Sequence, residues 1–442
     1  MVLTAFNAGF TGLEERFDAI IIGGGPGGLT VAYHLAKKGF RTVLIERGKY
    51  LGSKNVYGGR IYSYAIEKAF PGFRKEAPIE RWVRKELLTF MTEDEAVTVE
   101  LYSAKHPEPP NDSFTAYLTS FTQWIGKKAE EAGALIITGV KVDKILMEKG
   151  GAIGVAAGQD KLYADVVIDA EGINPVLIEG LGLKGRFKPE HVAIGVKEVV
   201  RLPSKTIEER FNLHGDEGAA QLFVGYPSKG LPGGGFLYTN KETITFGVVA
   251  HLDSVAEGKL PIHEMIEDFK LHPLMKNLLK EGVIVEYLAH LIPEGGIRMV
   301  PKLYANNLLV VGDAAGLGLN NGITVRGVDF AVESGRLAAE AIEKAHGEGN
   351  YAEQVLGAYY EKALNDSFIL KELKAFRKAP SFLSNPRIYN LYPQLVCDLL
   401  SALHTVNGTP KKLYPALRTV MKRRKVSTIN LISDLIGGIR SL

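Results

Sequence analysis

Gly23, Gly25 and Gly28 stand at Gly-x-Gly-x-x-Gly spacing within Ile21-Ile22-Gly23-Gly24-Gly25-Pro26-Gly27-Gly28-Leu29-Thr30. That spacing suits phosphate. Gly23 permits a tight turn, Gly25 lets the backbone approach a pyrophosphate, and Gly28 lets a helix pack closely on a strand. Pro26 and Gly27 belong to the same cradle, where a helix N-terminus offers unpaired N–H groups and a positive dipole end. Glu46, 23 residues after Gly23, is placed to hold the two hydroxyls of an adenosine ribose, with Arg47 beside it. The alternative, a glycine-rich turn without a ligand, leaves the flanking pattern unexplained. The chemistry indicated is dinucleotide binding.

The elements that position these residues follow from the apolar pattern. Residues 18–22 read as a buried parallel strand, residues 29–38 as a helix stopped by Gly39, and residues 41–45 as a second strand ending on Glu46. A further buried strand, residues 308–311, runs into Gly312-Asp313-Ala314-Ala315-Gly316. In flavoproteins such an aspartate contacts the ribityl chain of FAD, and the next helix aims its N-terminus at the flavin ring. Here that helix is predicted to begin near Gly322-Ile323-Thr324 and to run to about Ala345. Ala164-Asp165-Val166-Val167-Ile168-Asp169-Ala170-Glu171-Gly172 is a third strand, ending in a small-acid-glycine turn that brings Ala170 and Gly172 to the same site. The three motifs in this order indicate FAD in preference to NAD alone. A second strand–GxGxxG–helix unit for a nicotinamide is lacking, and Gly233-Gly234-Gly235 precedes a strand instead of following one.

Composition narrows the class further. The 442 residues suggest two or three domains, and 46% hydrophobic content supports large cores. Cys397 is the only cysteine, so it forms no internal disulfide, CxxC pair or protein-ligated iron–sulfur cluster; it is expected on the buried face of a helix. The ten histidines show no metal-binding spacing, and no metal site is expected. No apolar run approaches the roughly 18 residues that span a bilayer, and the N-terminus lacks a signal-peptide pattern. Redox chemistry would therefore reside in the bound dinucleotide.

Gly52-Ser53-Lys54-Asn55-Val56-Tyr57-Gly58-Gly59-Arg60-Ile61-Tyr62-Ser63 resembles the signature of the FixC (EtfC) family. This family is related to electron-transfer flavoprotein:quinone oxidoreductases, in the wider p-hydroxybenzoate-hydroxylase-like and geranylgeranyl-reductase group. Gly312-Asp313-Ala314-Ala315-Gly316 with residues 321–329 is similar to the family's flavin-side segment, and residues 235–241 to its substrate-domain strand. The likeness runs from about residue 17 to about 400. It implies that Lys54, Gly58, Gly59 and Arg60 also serve the cofactor. Phe236 and Tyr238 are candidates for a quinone pocket, with ordinary core aromatics as the alternative. The mitochondrial quinone oxidoreductases carry four cysteines for a [4Fe–4S] cluster, which this chain lacks. In the FixC family the cluster resides on a small ferredoxin-like subunit, FixX or EtfX.

The expected fold is α/β. A Rossmann-like, p-hydroxybenzoate-hydroxylase-like FAD-binding domain (1–85, 125–180 and 295–345) interleaves with a mostly antiparallel β domain for substrate or quinone (86–124 and 181–294). Residues 346–442 are expected to be helical, basic, and membrane- or partner-facing. Residues 374–442 hold twelve Lys/Arg against two Asp/Glu, and Ile388, Leu391, Tyr392, Leu395, Val396, Leu399, Leu400 and Leu403 fall at helical spacing. Three readings of this basic region stand: a solvated cap, an anionic membrane face, or a docking surface for an acidic partner. Nucleic acid is not among the expected partners, since no such motif accompanies the charge.

The resemblance implies an FAD-containing subunit that passes electrons from an electron-transfer flavoprotein, with α and β chains, to a membrane quinone. It leaves open an electron-bifurcating complex with FixX or EtfX. The alternatives are a flavin-dependent geranylgeranyl (prenyl) reductase and a flavin-containing scaffold. The expected location is cytoplasmic, peripheral on the inner face of the cell membrane.

Overall fold

The computed structural model describes residues 16–53, 58–103, 105, 108–258 and 260–442. Ile20, Ile21, Val43, Leu44, Val167, Ile168, Leu308 and Leu309 are wholly buried, as continuous apolar runs are in strands covered on both faces. These runs build a parallel sheet in the order Leu308–Val310, Asp160–Asp169, Arg16–Ile22, Thr42–Glu46, Leu135–Thr138. A hairpin of Lys144–Glu148 and Gly151–Ala157 folds back antiparallel onto the start of Asp160–Asp169, and Tyr304–Ala305 closes one edge.

Helix Pro26–Lys37 begins three residues before the predicted pattern, with Pro26 in the first turn, where its fixed φ and missing N–H cost nothing. Helix Val328–Gly347 packs against it. That second helix starts at Val328, not near Gly322-Ile323-Thr324. The cause is local: the Asn321 carbonyl Oδ1 accepts hydrogen bonds from the backbone N–H groups of Ile323 and Thr324 and from Thr324 Oγ1. This side-chain turn competes with helix, and the chain makes a short ribbon of Leu319–Asn320 and Val325–Arg326 before turning helical.

A second sheet has nine strands. Its order is Val283–Pro293, Val192–Arg201, Thr243–His251, Gly233–Thr239, Glu217–Gly225, Arg81–Met91, Ser113–Tyr117, Gly58–Tyr62, and Ala96–Tyr102 pairs with Arg81–Met91. All pairings are antiparallel except Glu217–Gly225 with Arg81–Met91. This sheet draws in Gly58–Tyr62 from the segment read with the FAD-binding part, because residues 58–62 hydrogen-bond to Ser113–Tyr117. The glycine triplet at 233–235 opens strand Gly233–Thr239 and lies within it. Gly233 and Gly234 have φ of 144° and 147°, and a Cβ there would meet the carbonyls of Val249 and Phe223 at 2.1 and 2.5 Å. Val196, Phe246, Val248 and Phe269 fill the core between this sheet and helix Ile262–Leu271.

The C-terminal region is helical: Glu353–Asp366, Phe368–Ala375, Tyr392–His404, Leu413–Arg423 and Thr428–Ser441 are its longer members. Cys397 is buried in Tyr392–His404, its Sγ 3.6 Å from the Phe90 carbonyl. Two ion-pair clusters tie the tail down. Arg387 meets Asp434 at 2.7 and 2.8 Å, with Tyr392 on the same carboxylate, and Arg423 and Arg424 both meet Asp398. Among the described residues no helix is long and apolar enough to cross a membrane.

Candidate functional site

The carboxyl ends of the parallel strands meet the glycine-rich turn at the crevice where open α/β sheets take their ligands. Gly23 N–H bonds the Ile45 carbonyl at 2.9 Å, and Ala170 N–H bonds the Ile22 carbonyl at 2.8 Å, so three strand ends are knitted together. The glycines then separate by role. Gly23 has φ of 108°, and a Cβ on it would stand 2.2 Å from the Ala170 carbonyl oxygen. On Gly28 a Cβ would stand 2.2 Å from the Gly23 carbonyl oxygen and 3.1 Å from Ile21. Gly25 has nothing within 4 Å of where a Cβ would be, because that position faces open cavity. A turn closed by two glycines and open at the third fits a pyrophosphate resting on the helix N-terminus.

Glu46 ends its strand as the motif requires, and its carboxylate also holds the turn. Oε2 accepts from Gly24 N–H at 2.7 Å and Oε1 from Gly48 N–H at 2.5 Å. Each oxygen keeps accepting capacity for a ribose hydroxyl. Across the cavity, Gly312 takes φ of 65° and Asp313 enters a short turn of 3-10 helix. Burial raises the Asp313 carboxyl to about 6, against the opposing influence of Lys184. Lys184 donates to the Ala314 carbonyl at 2.9 Å, and burial drops its pKa to about 7 although Glu179, Asp169 and Asp313 act the other way. Asp313 thus presents a carboxyl acceptor to the cavity, to which hydroxyl-bearing ligand atoms can donate.

Gly23, Gly25, Pro26, Gly27, Gly28, Glu46 and Arg47 line one continuous cavity with Gly59, Arg60, Ala170, Gly172, Gly312, Asp313, Gly322 and Ile323. Its volume is about 1040 Å³, at the top of the roughly 300–1,000 Å³ usual for ligand sites. Arg60 is held by a paired contact with Glu86 and by Ser113 Oγ at 2.8 Å, and it stacks over Tyr62 at 4.6 Å. Phe236 and Tyr238 line the same cavity from one face of their strand, ring centroids 5.4 Å apart. Thr324 is not among the lining residues; it serves the Asn321 turn. Gly58 heads its strand. Lys54 lies outside the described residues.

Sequence reasoning missed two parts of the wall. Arg326 reaches the cavity while bound to Asp329 and Glu372 and stacked against Tyr62, Phe330 and Phe368. The helical tail supplies the far end through Leu383, Tyr389, Leu395, Leu435, Ile439 and Leu442. Its apolar periodicity was visible, but the surface it would cover was not. Cavity and tail together make a glycine-lined polar end that continues into an apolar chamber.

Comparison with known proteins matches residues 379–442 to the ETF-QO/FixC family C-terminal domain and residues 192–292 to the ETF-QO ubiquinone-binding model. Residues 21–85 match an NAD(P)-binding Rossmann-like domain. The chain is 41% identical over 430 residues to the probable electron transfer flavoprotein-quinone oxidoreductase YdiS of Escherichia coli K12, covering 97% of this chain and 100% of that one. It is 37% identical over 430 residues to Protein FixC of Bradyrhizobium diazoefficiens, covering 96% and 98%. Among solved structures, a geranylgeranyl bacteriochlorophyll reductase-like protein from Thermoplasma acidophilum shares the fold, with TM-score 0.71, 19% identity, and 95% and 99% of the two chains covered. The myxobacterial chondrochloren halogenase CndH also shares it, with TM-score 0.60, 18% identity, and coverage of 92% and 97%.

Proposed function

The chain belongs to the ETF-QO/FixC family, and from that premise we propose that it is an FAD-dependent oxidoreductase passing electrons from an electron-transfer flavoprotein to a quinone. One observation carries the reading: the cavity that begins at the Gly23, Gly25 and Gly28 turn runs without interruption past Phe236 and Tyr238 to the apolar tail helices. FAD occupies the polar end. Gly25 and the helix N-terminus receive the pyrophosphate, Glu46 the adenosine ribose, and Asp313 the ribityl chain. A bound flavin supplies two-electron redox chemistry and can exchange electrons singly with a one-electron partner. The quinone head enters beside Phe236 and Tyr238, and its isoprenoid tail lies along Leu395, Leu435 and Ile439.

The fold alone is shared with a geranylgeranyl-reductase-like protein, but the quinone-binding and C-terminal matches favour a quinone over a prenyl double bond. Cys397 is buried and single, so the iron–sulfur centre of the pathway belongs to a separate ferredoxin-like subunit. The tail rests on an anionic membrane surface, from which quinone reaches the chamber. Ile429, Ile432 and Ile436 are exposed on Thr428–Ser441, next to the exposed Lys422 and Lys425. The test is anaerobic reoxidation of the reduced holoprotein by a soluble short-chain quinone. Flavin absorbance should return stoichiometrically with quinol formed; absence of reoxidation rejects the proposal.

A further inference from the structure

A buried acid–histidine pair stands in the cavity wall apart from the cofactor cradle. Glu294 follows strand Val283–Pro293 and is 7% exposed; His251 ends strand Thr243–His251 and is 8% exposed. Glu294 Oε2 lies 3.1 Å from His251 Nε2, and Glu294 Oε1 accepts from Asn320 Nδ2 at 3.2 Å. Glu294 and Asn320 line the cavity, whereas His251 does not. The acid therefore stands between the ligand chamber and the imidazole.

Burial of this kind is costly unless each polar atom is used. Both Glu294 oxygens are used, one by His251 and one by Asn320. Asp253 adds negative charge near His251, and Tyr389 and His191 also border the pair, the His191 carbonyl accepting from Glu294 N–H at 2.9 Å. Burial opposes charge on His251, yet the hydrogen bond and charge of Glu294, with Asp253 behind, leave its pKa raised. The Glu294 hydrogen bond thus favours the protonated form of His251.

We propose that Glu294 and His251 form a proton relay that delivers a proton to the quinone oxygen during reduction. This rests on the quinone reading above. A quinone becomes a quinol by gaining two electrons and two protons. A bound reduced flavin would supply both electrons and one proton, and the second proton comes from Glu294. His251 Nε2 gives its proton to Glu294, and the Glu294 O–H so formed breaks as the new quinol O–H forms. A proton from solvent then returns the now neutral His251 to its protonated form. Glu294 is the donor, and His251 is a positioning residue that refills it.

Two acceptors separate proton delivery from electron delivery. Ferricenium takes electrons alone, whereas a short-chain ubiquinone also takes protons. Glu294→Gln keeps the size and hydrogen-bonding capacity of the side chain but holds no transferable proton. In stopped-flow reoxidation of reduced holoprotein, this variant should lose about 10²-fold with ubiquinone and be unchanged with ferricenium. Ubiquinone binding to the oxidised protein, followed by flavin fluorescence, should also be unchanged. Histidine NMR should show His251 titrating above the ordinary histidine range in the wild type and below it in the variant. His251→Gln should slow the ubiquinone reaction alone, and supports the relay if Glu294→Gln fails to fold. In the wild type the ubiquinone rate should fall as pH rises through the His251 titration, with no such fall for ferricenium. Equal ubiquinone rates in wild type and variant, or equal losses with both acceptors, overturn the relay. A wild type that no quinone reoxidises overturns the quinone reading itself.

Discussion

The carbonyl oxygen of Gly27 lies 2.3 Å from the point where a side chain on Gly335 would begin. Helix Val328–Gly347 is thereby seated directly on the glycine-rich turn, with Ser334 Oγ donating to the Ala331 carbonyl and accepting from Gly312 N–H at 3.1 Å. Any Cβ at 335 must push the helix off the turn or the turn into the cavity. Gly335→Ala should therefore cost about 1–3 kcal/mol of stability, as overpacking does, and should lower flavin content as well. Urea denaturation and the flavin-to-protein absorbance ratio measure the two effects. Unchanged values for both would show that the helix can shift without cost.

Gly25 predicts the opposite separation. Its backbone is extended, with φ of −79° and ψ of 174°, and no atom stands within 4 Å of the place a Cβ would take. Gly25→Val should fold with stability within about 1 kcal/mol of the parent, the usual scale for a change at a helix cap. It should retain no FAD, because the new side chain occupies the pyrophosphate position. A folded Gly25→Val protein with full flavin content would move the dinucleotide elsewhere.

These two glycines show how far the sequence could be read. Gly25 was legible because a local motif fixes strand, turn and helix within a few residues. Gly335 was not, since its constraint comes from a segment more than three hundred positions away in the chain. The same distinction holds across the site. Glu46 and Asp313 follow buried strands whose apolar runs are plain, and both reach the cavity. The start of helix Val328–Gly347 was misplaced because Asn321 satisfies the backbone of the next residues from its own side chain. Glu294 and Tyr389 carry no local pattern, and nothing within the 321–329 segment marks the Arg326 side chain for the cavity. They become site residues only when the second sheet and tail close on the first.

The attachment of helix Thr428–Ser441 should depend on acid. Arg387 beside Asp434, with Tyr392 assisting against the opposing effect of burial, holds the Asp434 carboxyl at about 2, below its ordinary 3.8. A depressed carboxyl stabilises the folded arrangement above its ordinary value and loses that contribution as pH falls toward the folded one. The tail should therefore stay docked at neutral pH and loosen between about pH 4 and pH 2. Arg387 is 40% exposed, so solvent screening limits the tie to about 1 kcal/mol. Asp434→Asn should make cleavage within the tail by a protease faster at neutral pH and remove the acid dependence. Equal proteolysis of variant and parent would place the anchoring of the helix in its apolar contacts alone.

The basic run near the tail divides into residues that hold the fold and residues that are available to a surface. Arg423 and Arg424 are committed to Asp398, so reversing them would undock Leu413–Arg423 whatever else they did. Lys422 and Lys425 are exposed and form no ion pair among the described residues. Each Lys near an anionic bilayer contributes about 1 kcal/mol, and the exposed isoleucines of Thr428–Ser441 add hydrophobic affinity. Lys422→Ala with Lys425→Ala should thus weaken binding to anionic liposomes by about 30-fold, from roughly 2 kcal/mol of lost attraction. Stability should be unchanged, and the remaining binding should be less sensitive to salt. Ile432→Ser should weaken binding without altering its salt dependence. If the parent protein ignored anionic liposomes at low salt yet bound an acidic partner chain through Lys422 and Lys425, the basic face would be a protein-docking surface. Quinone would then have to reach the Leu395, Leu435 and Ile439 chamber from a partner.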